Sequence, residues 1–390
     1  MGTARNATQQ QLFELVHHAR TTLGMPVAFL TRMDATTQTL EVVDSKIPFL
    51  FQEGYQQQRD QTLCQAAIDG KVPPVMGDLT KHKVAMQLPA ARFPRLRSFV
   101  TVPVHLSDGS LYGSFCAAGV TTNDDLRARD AELMSLLAQA AAVIVEPEVA
   151  ARRQTAEIED RYAPVLTGGG PQIVYQPIVD LRTRRRVGSE ALSRFPREWG
   201  KAPDVCFAEA FQAGFGEKLE FLTLRRAGSA APTVGGYLSL NVCVPTITHP
   251  DFPAVMAPLL LTNIVLEITE QHAVDDYNAI LRRLTPLREQ GMRLAIDDVG
   301  VGYSSLKHLV TLAPDVMKLD RSIIDGVAKD PILESLIRSM VSFAGATGAR
   351  LVAEGIEDEV DGALLADIGV DYGQGWLFGK PMALEDLEPC

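Results

Sequence analysis

The stretch Val187-Gly188-Ser189-Glu190-Ala191-Leu192-Ser193-Arg194-Phe195 reads as a strand that carries a carboxylate and then a guanidinium. A carboxylate at a strand mouth suits a hard metal ion, and a nearby Arg suits a phosphate. Alone, the pair reads equally as a surface ion pair. The same pattern recurs down the chain. Asn241 ends Tyr237-Leu238-Ser239-Leu240, and Glu267 ends Ile264-Val265-Leu266. Asp297 and Asp298 end Arg293-Leu294-Ala295-Ile296, and Lys318 and Asp320 lie in Val316-Met317-Lys318-Leu319-Asp320. Glu354 ends Leu351-Val352-Ala353, and Gln374 follows Asp371-Tyr372-Gly373. Short apolar runs ending in polar residues, alternating with helical stretches, predict an α/β TIM-like barrel with its site at the strand C-termini.

Several motifs fall in one order over about 171–387. They are Tyr175-Gln176-Pro177-Ile178-Val179-Asp180, Glu190-Ala191-Leu192 with Arg194, Asn241, and Glu267-Ile268-Thr269-Glu270. Then come Asp297-Asp298-Val299-Gly300-Val301-Gly302-Tyr303-Ser304-Ser305-Leu306, Lys318-Leu319-Asp320-Arg321, Ala353-Glu354-Gly355-Ile356-Glu357 and Gly373-Gln374-Gly375. This set resembles the EAL-domain family of cyclic di-GMP phosphodiesterases.

The chain has 390 residues, enough for two or three domains or for one small domain and one barrel. It is 46% hydrophobic, ample for full cores. No apolar run suggests a membrane span, and the first ten residues are polar, so a soluble, cytoplasmic protein is expected. The net charge of −11 argues against a nucleic-acid polymer as partner. It also requires cations wherever an anionic substrate meets acidic groups. The five cysteines form no C-x-x-C pair and read as reduced thiols packed like small hydrophobes.

In the N-terminal part, residues 7–23 carry one apolar helical face, Leu12, Leu15, Val16 and Ala19. Strands are expected at 27–30, 39–43, 98–104 and 111–118, with a helix over 61–68. Ser107-Asp108-Gly109-Ser110 is a hairpin turn, because Asp-Gly supplies the positive φ of a primed turn. These elements make a small α+β domain over 8–146. It resembles a GAF sensory domain, carried by Phe99-Val100-Thr101-Val102-Pro103-Val104, by Ser107 to Phe115, and by Asp60-Gln61-Thr62-Leu63-Cys64 with Asp69-Gly70-Lys71-Val72-Pro73. Such domains bind small molecules or chromophores, or only dimerise. The sequence names no ligand here, though Cys64 offers an attachment point.

From Asp124 the chain turns helical, with an apolar stripe from Leu133 to Ile144. Pro147 is expected to interrupt it, and 147–170 then reads as a helical linker that caps its own domain or pairs with its copy in a homodimer. Thr167-Gly168-Gly169-Gly170-Pro171 marks the boundary, and the barrel domain follows over 171–390. Further helices are expected over 207–226, 275–290 and 331–347, with Pro286 kinking or breaking the second.

The EAL resemblance implies a ligand set. Glu190, Asn241, Glu267 and Asp297 would hold one metal; Asp297, Asp298 and Glu354 would hold a second. Carboxylates with one amide suit Mg²⁺ or Mn²⁺ rather than zinc, and two such ions close together can activate water and neutralise a phosphodiester. Glu354 would be the general base, and Lys318 would hold the nucleophile or offset phosphate charge. Gln176, Leu192, Arg194, Asp320 and Gln374 would hold the substrate, and Glu270 and Glu357 would order loops around the metals. The loop Val299-Gly300-Val301-Gly302 departs from the family's Phe-Gly-Thr-Gly. The expectation is therefore a metal-dependent phosphodiesterase that opens cyclic di-GMP to pGpG under GAF control. The alternative, motivated by that loop, is a catalytically silent cyclic di-GMP receptor.

Overall fold

The computed structural model describes residues 5–47, 51–269, 276–299, 305–388 and 390. They form two compact units, Met1–Gln154 and Thr155–Cys390.

The first unit is built on an antiparallel sheet. Its strands are β1 (Val27–Met33), β2 (Thr37–Ser45), β3 (Gln56–Gln58), β4 (Val75–Met76), β5 (Ser98–His105) and β6 (Leu111–Gly119), in the order β3-β2-β1-β6-β5-β4. Both faces are buried, so alternate residues of one strand enter different cores. Ala28 and Leu30 pack with Leu12 and Val16 of the helix Ala7–Thr22 and with Met134 and Ala138. Val27 and Phe29 pack with Leu63 and Cys64 of the helix Leu63–Ile68. The hairpin turn forms, but not as the expected primed turn: Gly109 N donates to Leu106 O at 2.9 Å, Gly109 alone of the turn residues has positive φ, at 80°, and Asp108 Oδ1 accepts from Ser110 N at 2.8 Å. Hydrogen bonds from Ser110, with the Arg153 guanidinium, hold the Asp108 carboxyl down at about 2.

The helix Ala128–Thr167 runs through Pro147, where an interruption was expected. Part of it is long and apolar enough, by length and composition, to cross a membrane, which corrects the reading that no such segment exists. Its Met134, Ala138, Ala141, Ala142 and Val145 are buried in the first unit's core.

The second unit is a closed barrel of β7 (Gln172–Asp180), β8 (Arg186–Arg194), β9 (Tyr237–Asn241), β10 (Ile264–Thr269), β11 (Arg293–Val299), β12 (Val316–Leu319), β13 (Arg350–Ala353) and β14 (Tyr372–Gln374). Seven strands run parallel from β8 to β14, while β7 pairs antiparallel with both β8 and β14. A TIM-like barrel was expected, and this one has its first strand reversed.

Strand alternation sorts the side chains. Leu266, Leu294, Ile296, Met317, Leu319 and Leu351 join the large core that includes helix residues such as Ile280, Leu284 and Ile337. The opposite parity, Ile178, Tyr237, Val265, Ala295, Val316 and Val352, forms a separate apolar plug. A Cβ on Gly188 would lie 2.7 Å from the Tyr237 ring, so the plug needs glycine there. Two residues further along each parallel strand the plug gives way to polar groups: Val265 to Glu267, Ala295 to Asp297, Val316 to Lys318, Val352 to Glu354, Tyr372 to Gln374.

Two helices, Pro203–Gln212 and Gly216–Gly228, stand where one was expected over 207–226, and Gly214 at φ 82° makes the break. The helix Tyr277–Glu289 continues through Pro286 without a break. Tyr162, from the end of the long helix, is fully buried with Cys206, Ala210 and Leu219. Its hydroxyl donates to Cys206 O at 2.9 Å.

Candidate active site

Lys318 projects from β12 into the polar layer, and its side chain is 1% exposed. Its Nζ lies 2.5 Å from Glu354 Oε1, 2.9 Å from Glu267 Oε2, 3.2 Å from Asp297 Oδ1 and 3.5 Å from Glu190 Oε2. Thus carboxylates from β8, β10 and β11, and one following β13, meet on one ammonium. Asn241 Nδ2 donates to Glu190 Oε1 at 2.8 Å, which leaves the amide oxygen of Asn241 available to a cation. Gln374 Nε2 donates to Glu190 Oε2 at 2.7 Å and to Gln176 Oε1 at 3.1 Å. The Ser239 hydroxyl donates to Glu267 Oε1.

A β-bulge explains how two consecutive aspartates reach the site. β11 pairs with β12 at Ile296↔Met317 and next at Val299↔Leu319, so Asp297 and Asp298 together oppose Lys318. Asp298 has φ 57°, a left-handed conformation that costs an L-residue energy and is tolerated best by Asp and Asn. Asp297, Asp298 and Glu354 each bring an oxygen within 4.8 Å of the others.

One ammonium cannot neutralise four clustered carboxylates, two of them fully buried, and the protonation preferences report this. Burial pushes the Glu354 carboxyl up to about 8, and Asp297 and Glu190 add to the rise against the pull of Lys318. Burial likewise drives Glu267 well above the carboxylate range. Glu190 is buried too, but Lys318 and the amides of Gln374 and Asn241 outweigh that and hold it low. Burial works against the Lys318 charge, and Asp297, Glu190, Glu267 and Glu354 overcome it and raise its pKa well above normal. Asp297 Oδ1 is buried with no hydrogen bond among the described residues, and its 3.2 Å approach to Lys318 is electrostatic. An excess of buried carboxylate oxygen, one of them orphaned, with an amide oxygen to hand, fits hard divalent cations.

A pocket of about 340 Å³ opens over these groups, lined also by Gln176, Leu192, Gln374 and Glu357. Glu357 pairs with Arg321 at 2.9 Å. Leu192 also borders a larger cavity of about 880 Å³, which holds Arg194, Asn241 and Asp298 on its wall. Arg194 Nη1 donates to Ser193 O at 2.9 Å. Asp320 does not line either space. Its Oδ1 accepts from Ser322 N at 2.8 Å and caps the short helix Arg321–Ile324. Glu270 and the 300–304 loop lie outside the described residues. Arg321 and Trp376 also line the smaller pocket. The sequence reading missed Ser239 and Trp376, and quoted Arg321 in a motif without giving it a role. Ser239 was detectable as the residue two before Asn241 on the same strand face; Trp376 carried no signal.

Residues 161–381 match the family model described as EAL domain, and residues 6–146 match the GAF domain. The chain belongs to the EAL-domain family and carries an N-terminal GAF domain. It is 33% identical over 231 residues to "Probable cyclic di-GMP phosphodiesterase PdeB" of Escherichia coli, covering 55% of this chain and 43% of that protein. It is 33% identical over 235 residues to "Cyclic di-GMP phosphodiesterase PA2567" of Pseudomonas aeruginosa, covering 57% of this chain and 40% of that one. The chain thus spans less than half the length of these relatives. Among solved structures, the PaMucR phosphodiesterase in complex with c-di-GMP is similar at 26% identity and a TM-score of 0.53, covering 60% of this chain and all of that one.

Proposed function

We propose that this chain is a phosphodiesterase that hydrolyses cyclic di-GMP to linear pGpG with the help of two divalent cations, Mg²⁺ or Mn²⁺. The observation that carries the reading is the meeting of Glu190, Glu267, Asp297 and Glu354 within 3.5 Å of Lys318 Nζ. Family membership and the names of the relatives supply the substrate. Glu190, Asn241, Glu267 and Asp297 would hold one ion, and Asp297, Asp298 and Glu354 the other. Bound there, the ions would supply an acidic water and neutralise phosphate charge.

The chain's own groups do the rest. Lys318, in contact with Glu354, orients that carboxylate and keeps a fixed positive charge beside the phosphate. Glu354, whose carboxyl sits near neutrality in the ion-free protein, is placed to accept a proton from the attacking water. Gln176, Leu192 and Gln374 line the pocket from the other side, and Arg194 offers a guanidinium from the neighbouring cavity. Val299, one of the two departures from the family loop, is buried in the barrel's outer core and acts through packing. The GAF unit is the regulatory part of this reading. Leu136 and Val143, exposed one heptad apart on the long helix, suit the same helix of a second copy in a homodimer.

The test is turnover. Purified protein with cyclic di-GMP and Mg²⁺ or Mn²⁺ yields pGpG, and Glu354→Gln yields none. Binding of the nucleotide with no linear product from the wild type selects the silent receptor instead.

A further inference from the structure

Cys64 on the helix Leu63–Ile68 and Cys116 on β6 are 52 positions apart and meet inside the first unit with their Sγ atoms 3.2 Å apart. Both are buried free thiols. Both belong to the apolar core that includes Phe29 and Leu63, yet each sulfur also touches polar side chains, which cysteines serving only as small hydrophobes do not need. Ser114 Oγ and Thr101 Oγ1 each lie 3.2 Å from Cys116 Sγ, and Gln38 Nε2 lies 3.5 Å from Cys64 Sγ. Gln38 is 1% exposed, and its Oε1 has no hydrogen-bond partner among the described residues.

The separation decides between two uses of such a pair. Thiolates sharing a tetrahedral zinc ion, at about 2.3 Å from it each, stand roughly 3.8 Å apart. A disulfide needs about 2.05 Å, reached here by a shift of little more than 1 Å. The pair is too close to straddle a metal and is already placed for bond formation.

We propose that Cys64 and Cys116 are a peroxide-reactive dithiol that closes to a disulfide within the N-terminal unit. The oxidant is a hydroperoxide, and hydrogen peroxide is small enough to enter through local opening of the unit. The Cys64 sulfur attacks one peroxide oxygen. The S–O bond forms, the O–O bond breaks, and the departing hydroxide leaves as water with the Cys64 proton. Cys64 is then a sulfenic acid. The Cys116 sulfur attacks it, the S–S bond forms, the S–O bond breaks, and the second hydroxide leaves as water with the Cys116 proton. Two thiols and one peroxide give one disulfide and two waters, with the sulfurs oxidised and the peroxide reduced. The assignment of Cys64 as attacking sulfur follows from geometry: it accepts a hydrogen bond from the Gln38 amide at 3.5 Å, which favours its thiolate.

The experiment uses the full chain, reduced, freed of reductant and treated with hydrogen peroxide. After quenching it is denatured, alkylated and digested for mass spectrometry. The expected result is loss of two of the five alkylation sites, with a cross-linked peptide joining Cys64 to Cys116 that dithiothreitol releases. In Cys116→Ser the cross-link is gone, and Cys64 is trapped as a sulfenic acid by dimedone. Complete alkylation of both cysteines in peroxide-treated wild type overturns the proposal. So does oxidation of Cys64 without linkage to Cys116. Both readings come from the wild-type chain, so they stand whether or not the variant folds.

Discussion

Lys318 and Glu267 face each other from β12 and β10 at 2.9 Å, each with a side chain 1% exposed. Glu267 could not hold its charge there without Lys318, because a lone buried charge costs several kcal/mol. Glu190, Asp297 and Glu354 crowd the same ammonium, so Lys318 is the counter-ion that lets the carboxylate cluster exist before any cation arrives.

Lys318→Met removes that counter-ion while keeping most of the side-chain volume. The expected cost is about 3–5 kcal/mol of barrel stability in EDTA. Divalent cations should recover part of it, since they supply the missing positive charge. Denaturant unfolding with and without Mg²⁺ measures both, and an unchanged midpoint in EDTA would contradict the counter-ion role.

Glu354 gives a pH dependence whose sign is fixed. Its folded pKa of about 8 lies above the ordinary carboxylate value near 4.5, so the folded state prefers the protonated form. That contribution is complete below about pH 4.5 and is lost as the pH rises through 8. Glu267 shifts in the same direction, and Glu190 in the opposite one. Without cations, the ratio of Glu354→Gln stability to wild type should therefore rise between pH 5 and 8. Cation binding should release protons in that window and tighten with pH. Calorimetric titration of Mn²⁺ in buffers of different ionisation enthalpy reads the proton release directly.

Ser239 is predicted to matter although it touches no substrate. Its hydroxyl satisfies Glu267 Oε1 in a fully buried site. Ser239→Ala should cost about 1–3 kcal/mol for the unsatisfied oxygen and weaken cation binding with it. Ser239→Thr retains the hydroxyl and should lose less of the binding.

Asp298 separates backbone from side-chain roles. At φ 57° a glycine is less strained by about 1 kcal/mol. Asp298→Gly relieves that strain and removes the carboxylate together, so turnover should fall sharply while the fold in EDTA survives. A loss of both would mean that the carboxylate chiefly supports the fold.

Much of the barrel was legible because its strands obey one rule. Each carries an apolar residue into the plug and, two positions on, a polar residue into the site, so Glu267, Asp297, Lys318, Glu354 and Gln374 stood out as polar endings of apolar runs. What failed was what depends on distant groups or on one residue's conformation. Pro147 reads as a stop, but the helix Ala128–Thr167 passes it. The doublet Asp297-Asp298 should send its side chains to opposite faces, and only the bulge against Lys318 corrects that. Cys64 and Cys116 carry no spacing signal, since the fold alone joins them.

The central claim is that these carboxylates are a two-cation site, and anomalous diffraction at the manganese edge from crystals grown with Mn²⁺ tests it most directly. The account predicts two peaks about 3.5–4 Å apart. One should lie among Glu190, Asn241, Glu267 and Asp297, and the other among Asp297, Asp298 and Glu354. Peaks elsewhere, or none at these side chains, would contradict it.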